Sequence, residues 1–164
     1  MVDEIKRTQP RLVRDRESLD YLHQESALAK RELNAYQAYC RMTENSSWLM
    51  RSAVWLRDAL CKPFGVEQIG GFRNKSAEAP PKVGEKLDFF LVEDISDRRL
   101  VLTVRDRHLD VMLSLTADPV AEGGTLVGET TSVVTHNFFG RLYMVPVAPA
   151  HHVIVRRDMK KLAA

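Results

Sequence analysis

A chain of 164 residues has the size of one domain and can bury about two thirds of the surface its unfolded form exposes. Its 45% hydrophobic and 28% charged residues are globular averages, and 24 Lys and Arg against 22 Asp and Glu leave a net charge of only +2. That balance excludes the strongly basic stripe of a dedicated nucleic-acid binder. No apolar run approaches the ~20 residues that span a bilayer, and the polar opening "MVDEIKRTQPRLVRDRE" lacks the apolar centre of a signal peptide. A cytoplasmic protein with no membrane partner is the expectation. Cys40 and Cys61 have no CxxC spacing, so they read as small buried side chains in a reducing compartment.

Residues 1–17 are charged and aperiodic, which predicts a flexible arm ahead of a single domain over 18–164. "SLDYLHQESAL" (18–28) has the imperfect alternation of a first strand. In "AKRELNAYQAYCRM" (29–42), Leu33, Tyr36 and Cys40 share one helical face. "NSSWLMRSAVWLRDALCKPFG" (45–65) predicts a second short helix. Asn45 or Ser46 caps it, Trp48 and Trp55 lie on its wide apolar face, and Pro63 and Gly65 end it.

From residue 66 the period changes to two. After a short strand "VEQIGGF" and a Pro- and Gly-rich loop over 73–85 come four strands: "KLDFFLVEDI", "RRLVLTVRD", "HLDVMLSLT" and "GTLVGETTSVVTHN". Their links are too short for parallel crossovers, so they must pair as antiparallel hairpins. A turn through Gly140-Arg141 and a break at Pro149 then lead to a closing helix, with Ala148, His152, Val155, Met159 and Leu162 as its stripe. The class is α+β, an antiparallel sheet with helices at both ends of the chain.

The pattern "LRDAL…FGV", then "DRHLDVMLSL", then "TSVVTHNFFGRLYMVPVAPAHHVIV" resembles the bacterial family known as domain of unknown function 2867. Trp48, His108 to Asp110, Thr135-His136-Asn137, Gly140-Arg141-x-Tyr143 and Pro149-x-His151 carry the likeness. It departs at Ser46-Ser47, where members often have a proline, and at Ala150, where they often have an aromatic. The resemblance implies the START-like, or SRPBCC, helix-grip fold: a curved antiparallel sheet gripping a long carboxyl-terminal helix, with a cavity between them. It implies no particular reaction.

Two readings of the polar groups stay open. His108 and Asp110 face solvent if Leu109, Val111, Leu113 and Leu115 are core, and line a polar cavity if they are not. His136, Asn137, Arg141, Tyr143 and His152 form an acid-base site, because histidine titrates near neutral pH and Asn or Tyr can hold a carbonyl. Alternatively they form a structural junction in which Gly140 supplies an unusual backbone angle and Pro149 starts the helix. With Trp55 and Met159 these residues make up the candidate ligand-binding set. Adjacent His151-His152 point about 100° apart on a helix, and no HExxH or Gly-rich phosphate motif occurs, so neither metal nor cofactor is expected.

The leading expectation is a protein that holds a hydrophobic or amphipathic small molecule between the closing helix and the apolar positions Leu87, Phe89, Leu91, Leu100, Leu102 and Val104. The alternatives are a cofactor-independent enzyme (cyclase, isomerase or hydrolase) using its histidines, and a protein-interaction module. A homodimer belongs with the expected assemblies.

Overall fold

Asn34 decides where the first helix begins. Its side-chain oxygen accepts the Gln37 amide at 2.8 Å, and the Gln37 side chain accepts the Asn34 amide at 3.0 Å, a reciprocal cap. The helix α1 therefore spans Ala35–Thr43, and Ala29, predicted as helical, instead ends strand β1 (Tyr21–Ala29). The structure, a computed structural model, describes residues 7–44, 58, 62–65 and 79–163. The helix expected over 45–65, with Trp48 and Trp55, falls almost wholly outside the described residues, as does the strand expected over 66–72. Of the two short helices expected near the amino end, α1 is the one described.

Among the described residues the predicted hairpins form an open antiparallel sheet of six strands in the order β1-β6-β5-β4-β3-β2. The remaining strands are β2 (Lys86–Leu87), β3 (Phe90–Ile95), β4 (Arg99–Arg105), β5 (Leu109–Pro119) and β6 (Thr125–Thr135). "KLDFFLVEDI" is thus two strands rather than one, because the chain turns back at Asp88, whose φ is 58°. The turn shifts the alternation, so Leu91 pairs with Thr103 on the outer face and is 42% exposed. It does not join the inner apolar set as expected.

The inner face runs in rows across the strands. Val92, Leu102, Leu113, Thr131 and His23 form one row; Leu100, Leu115, Glu129 and Glu25 form the next; Val104, Val111, Val133 and Tyr21 lie on the other side. The outer face is covered too. Residues of the expected arm lie along it, where the Arg11 amide donates to Ser114 Oγ at 3.0 Å and the Val13 amide to Ser132 Oγ at 2.9 Å. Thr8 donates both its amide and its hydroxyl to the buried Asp118 carboxylate. Small hydroxyls at outward strand positions are the acceptors this segment needs, which is why Ser114 and Ser132 are fully buried.

The closing helix α2 spans Phe138–Ala163 and carries Pro146 and Pro149 inside it. The expected Gly-Arg-x-Tyr turn and the Pro149 break are therefore helical, and the helix starts at Phe138. Each proline removes one amide donor, but the carbonyls left over, on Leu142 and Val145, belong to exposed residues where water can satisfy them. Among the described residues no helix is long and apolar enough to cross a membrane.

The carboxyl-terminal half of α2 is packed solid. Val155, Met159 and Leu162 meet Tyr36, Tyr39 and Met42 of α1 and Leu100, Leu102, Leu115 and Val127 of the sheet. Lys161 ties the two helices together, donating to the carbonyls of Met42 and Glu44 at the end of α1 while pairing with Asp158 at 2.7 Å. The hollow expected opposite Val155, Met159 and Leu162 is therefore filled. The empty space lies under the other half of the helix.

Candidate functional site

The strand-to-helix connection after β6 is held by Asn137. Its Oδ1 accepts the Gly140 amide at 3.0 Å and its Nδ2 donates to the Arg107 carbonyl at 3.1 Å, so it caps α2 and ties it to the β4–β5 turn. The His136 amide donates to the His108 carbonyl at 2.8 Å. Gly140 is required by closeness rather than by an unusual angle: a Cβ there would lie 2.3 Å from the His108 carbonyl oxygen, and its φ is not positive. In the turn itself Asp106 Oδ1 accepts the amides of His108 and Leu109. His108 is held at both ring nitrogens. Nε2 accepts from Arg107 Nε at 3.2 Å, and Nδ1 lies against the Asn137 amide, 3.0 Å from its Nδ2 and 3.3 Å from its Oδ1.

This connection roofs one end of a cavity of about 210 Å³ between the sheet and the first half of α2. Its walls are mainly apolar: Phe89 from the β2–β3 turn, Phe90 from the start of β3, Val104, Val111, Leu113 and Val133 from the inner rows, and Phe139, Met144 and Val147 from the helix. Polar side chains enter in two groups. Asp106 and His108 stand at the turn, with Tyr143 on the helix, while Tyr21, Thr131 and His151 stand together elsewhere on the wall.

The second group continues into the protein. Tyr21 Oη lies 3.4 Å from His151 Nδ1, and His151 Nε2 lies 3.3 Å from Thr131 Oγ1. The Thr131 hydroxyl donates to Glu129 Oε1. Glu129 is 1% exposed, and its other oxygen has no hydrogen-bond partner. Nor have the two ring nitrogens of His23, one of them 4.0 Å from that oxygen. The ring of His151 stands edge-on to those of Tyr21 and His23, and the His152 ring lies 4.5 Å from His23.

Electrostatics follow from this burial. Loss of water pushes the Glu129 carboxyl up to about 7, with the Thr131 hydrogen bond opposing and the charge of Glu25 adding to it. The same loss, reinforced by His23 and His152, pushes His151 down to about 4. His23 is also lowered, by burial first and then by His152. Burial and the nearby Glu129 raise the Tyr21 hydroxyl. At neutral pH His151 is therefore uncharged, and Glu129 sits at its midpoint.

The candidate residues named from sequence are distributed unequally around this cavity. His108 and Tyr143 line it, and Asn137 braces it from behind. His136 and Asp110 form a surface pair at 3.1 Å, joined by Arg105. Arg141 and His152 are exposed, Met159 belongs to the solid core, and Trp55 lies outside the described residues. Tyr21, His23, Glu129, Thr131 and His151 were absent from the candidate set. A signal for two of them was present: Glu129 and Thr131 share strand parity with Val127 and Val133, so a carboxylate falls at an inward position. Among the described residues no group of three His, Cys, Asp or Glu side chains is placed to hold a metal ion.

A search among curated proteins found no match. The sequence pattern of the family described as "Protein of unknown function (DUF2867)" matches residues 16–158, which takes in the sheet, the cavity walls and most of α2. The chain belongs to the DUF2867 family.

Proposed function

We propose that this protein binds one small, mainly apolar molecule with a polar group, held between sheet and helix in a helix-grip arrangement of the SRPBCC, START-like kind. The cavity carries this reading. An apolar cavity of ~150 Å³ is enough to hold benzene, so 210 Å³ suits a single substituted ring or a short branched chain. Tyr21, Thr131 and His151 offer a hydroxyl or carbonyl hydrogen-bond partners at one place on a mainly apolar wall, apart from the second polar group of Asp106, His108 and Tyr143.

Toluene tests the apolar part. At a hundred times its dissociation constant a ligand stabilises the folded state by about 2.7 kcal/mol, which for a chain of this size raises the melting temperature by roughly 5–10 °C. Val133→Phe puts a ring into the cavity wall and should remove the shift. A melting temperature unmoved by saturating toluene would remove the support for a ligand-holding cavity.

A further inference from the structure

The buried group behind the cavity wall is larger than ligand holding requires. A carboxylate without water is costly unless its oxygens are paired, and Glu129 has only the Thr131 hydroxyl on one of them. A hydrophobic residue would fill the same place in the row between Leu115 and Glu25 more cheaply. What the arrangement does supply is continuity. From the cavity inward, Tyr21 Oη, His151 Nδ1, His151 Nε2, Thr131 Oγ1 and Glu129 Oε1 follow one another at hydrogen-bond reach, the separations between residues being 3.4 and 3.3 Å before the final Thr131–Glu129 bond.

We propose that this chain is a proton relay, and that the protein catalyses proton transfer at a carbon next to the carbonyl of a small cyclic ketone bound in the cavity. The inference rests on the cavity being a ligand site. His151 is the catalytic residue, since its ring reaches the cavity; Thr131 and Glu129 are positioning residues that act through it. In the step, the bond from hydrogen to the α-carbon breaks and a bond from that hydrogen to His151 Nδ1 forms. The freed electron pair becomes the carbon–carbon double bond of an enolate, whose oxygen takes the hydrogen bond of the Tyr21 hydroxyl. The proton on His151 Nε2 passes to Thr131 Oγ1, and the proton of Thr131 passes to the Glu129 carboxylate. Reversal of the relay returns a proton to the same carbon or, in a conjugated ketone, to the γ-carbon. No oxidant or reductant is consumed.

The relay has a reason to include Glu129. His151 alone is a weak base, held near 4 by burial and by His23 and His152, whereas Glu129 retains a proton up to about 7. A proton delivered to Glu129 is therefore held where His151 could not hold it. The charged and titratable groups facing the carboxyl are His23 and Glu25 of β1 and the Tyr21 hydroxyl; His151 of α2 reaches it through Thr131, and His152 and Arg156 of α2 act on His23.

The test is exchange of the α-hydrogens of cyclohexanone for solvent deuterium, followed by proton NMR between pH 4 and 9, with melting shifts for cyclohexanone and toluene measured alongside. The native protein should bind cyclohexanone and speed exchange about 100-fold over buffer, the scale of one positioned base, with a rise through pH 7. Glu129→Gln keeps side-chain shape at a position behind the wall and should still bind cyclohexanone; it and Thr131→Val should exchange at least about tenfold more slowly and without the inflection at pH 7. His151→Phe should exchange at the buffer rate. Cyclohexanone that binds without faster exchange overturns the proposal, as do Glu129→Gln and Thr131→Val proteins with the native rate and pH profile. A toluene shift without cyclohexanone binding overturns the proposed substrate class and leaves the cavity reading standing. No shift with either compound refutes both.

Discussion

Glu129 and His151 should impose opposite pH dependences on stability, and removing either one should expose the other. The folded state raises the Glu129 carboxyl from 4.5 to about 7, so between those values the folded protein holds a proton that the unfolded chain has released. Stability from this group is complete below pH 4.5 and is lost as pH rises through 7, by about 3 kcal/mol at ~1.4 kcal/mol per pH unit. His151 is lowered from 6.5 to about 4, so its contribution is complete above pH 6.5 and is lost as pH falls through 4, again by about 3 kcal/mol. Over the shared window the two slopes cancel to within about 1 kcal/mol. Urea unfolding at half-unit steps from pH 4 to 8 reads this directly. Relative to the native protein, Glu129→Gln should gain about 3 kcal/mol as pH rises from 4.5 to 7. His151→Phe should lose a similar amount from pH 4 to 6.5. Subtracting the native curve cancels the titrations shared by all three proteins, His23 and Asp158 included. Differences that stay constant across the range would refute the claim that burial controls these two groups.

Two further substitutions test how the cavity and the outer face are held. Asn137→Ala removes the Gly140 cap and the tie to the Arg107 carbonyl, so it should cost about 1–2 kcal/mol in urea unfolding while leaving toluene affinity within about twofold; a large loss of affinity at unchanged stability would make Asn137 a ligand contact instead. Asp118→Ala leaves the Thr8 amide and hydroxyl without their buried acceptor and should both lower stability by about 1–3 kcal/mol and speed amide exchange along residues 8–13. Unchanged exchange there would show that Thr8 and Asp118 do not hold the segment down.

The hairpin sheet was legible because its signal is local. "RRLVLTVRD" and "HLDVMLSLT" alternate with period two, and the short link at Asp106-Arg107 allows only an antiparallel pair, which the register from Arg99–Thr116 to Arg105–Asp110 shows. The closing helix was legible in its second half only. Prolines at 146 and 149 normally end a helix, and nothing local reveals that their freed carbonyls face water. Val155, Met159 and Leu162 are buried as expected, but carrying their stripe back to His152 missed His151, one residue earlier, which lines the cavity while His152 is exposed. At about 100° per residue such a slip moves a side chain from cavity to solvent.

By itself the amino-acid sequence determined the class of this protein: alternation and short links make an antiparallel sheet, and an apolar stripe makes a closing helix. Tertiary structure alone decided where the space is and what reaches it. Tyr21 and His151 are 130 residues apart, and Glu129 meets His23 only because β1 pairs with β6 at the sheet's far edge. Whether helix and sheet close completely or leave a hollow depends on the summed volumes of side chains from many elements. Here Met159 and Tyr39 fill one end, and small Val104, Val111 and Val133 leave the other open. Burial, and with it the proton affinity of Glu129, is a property of that packing and of no single stretch of chain.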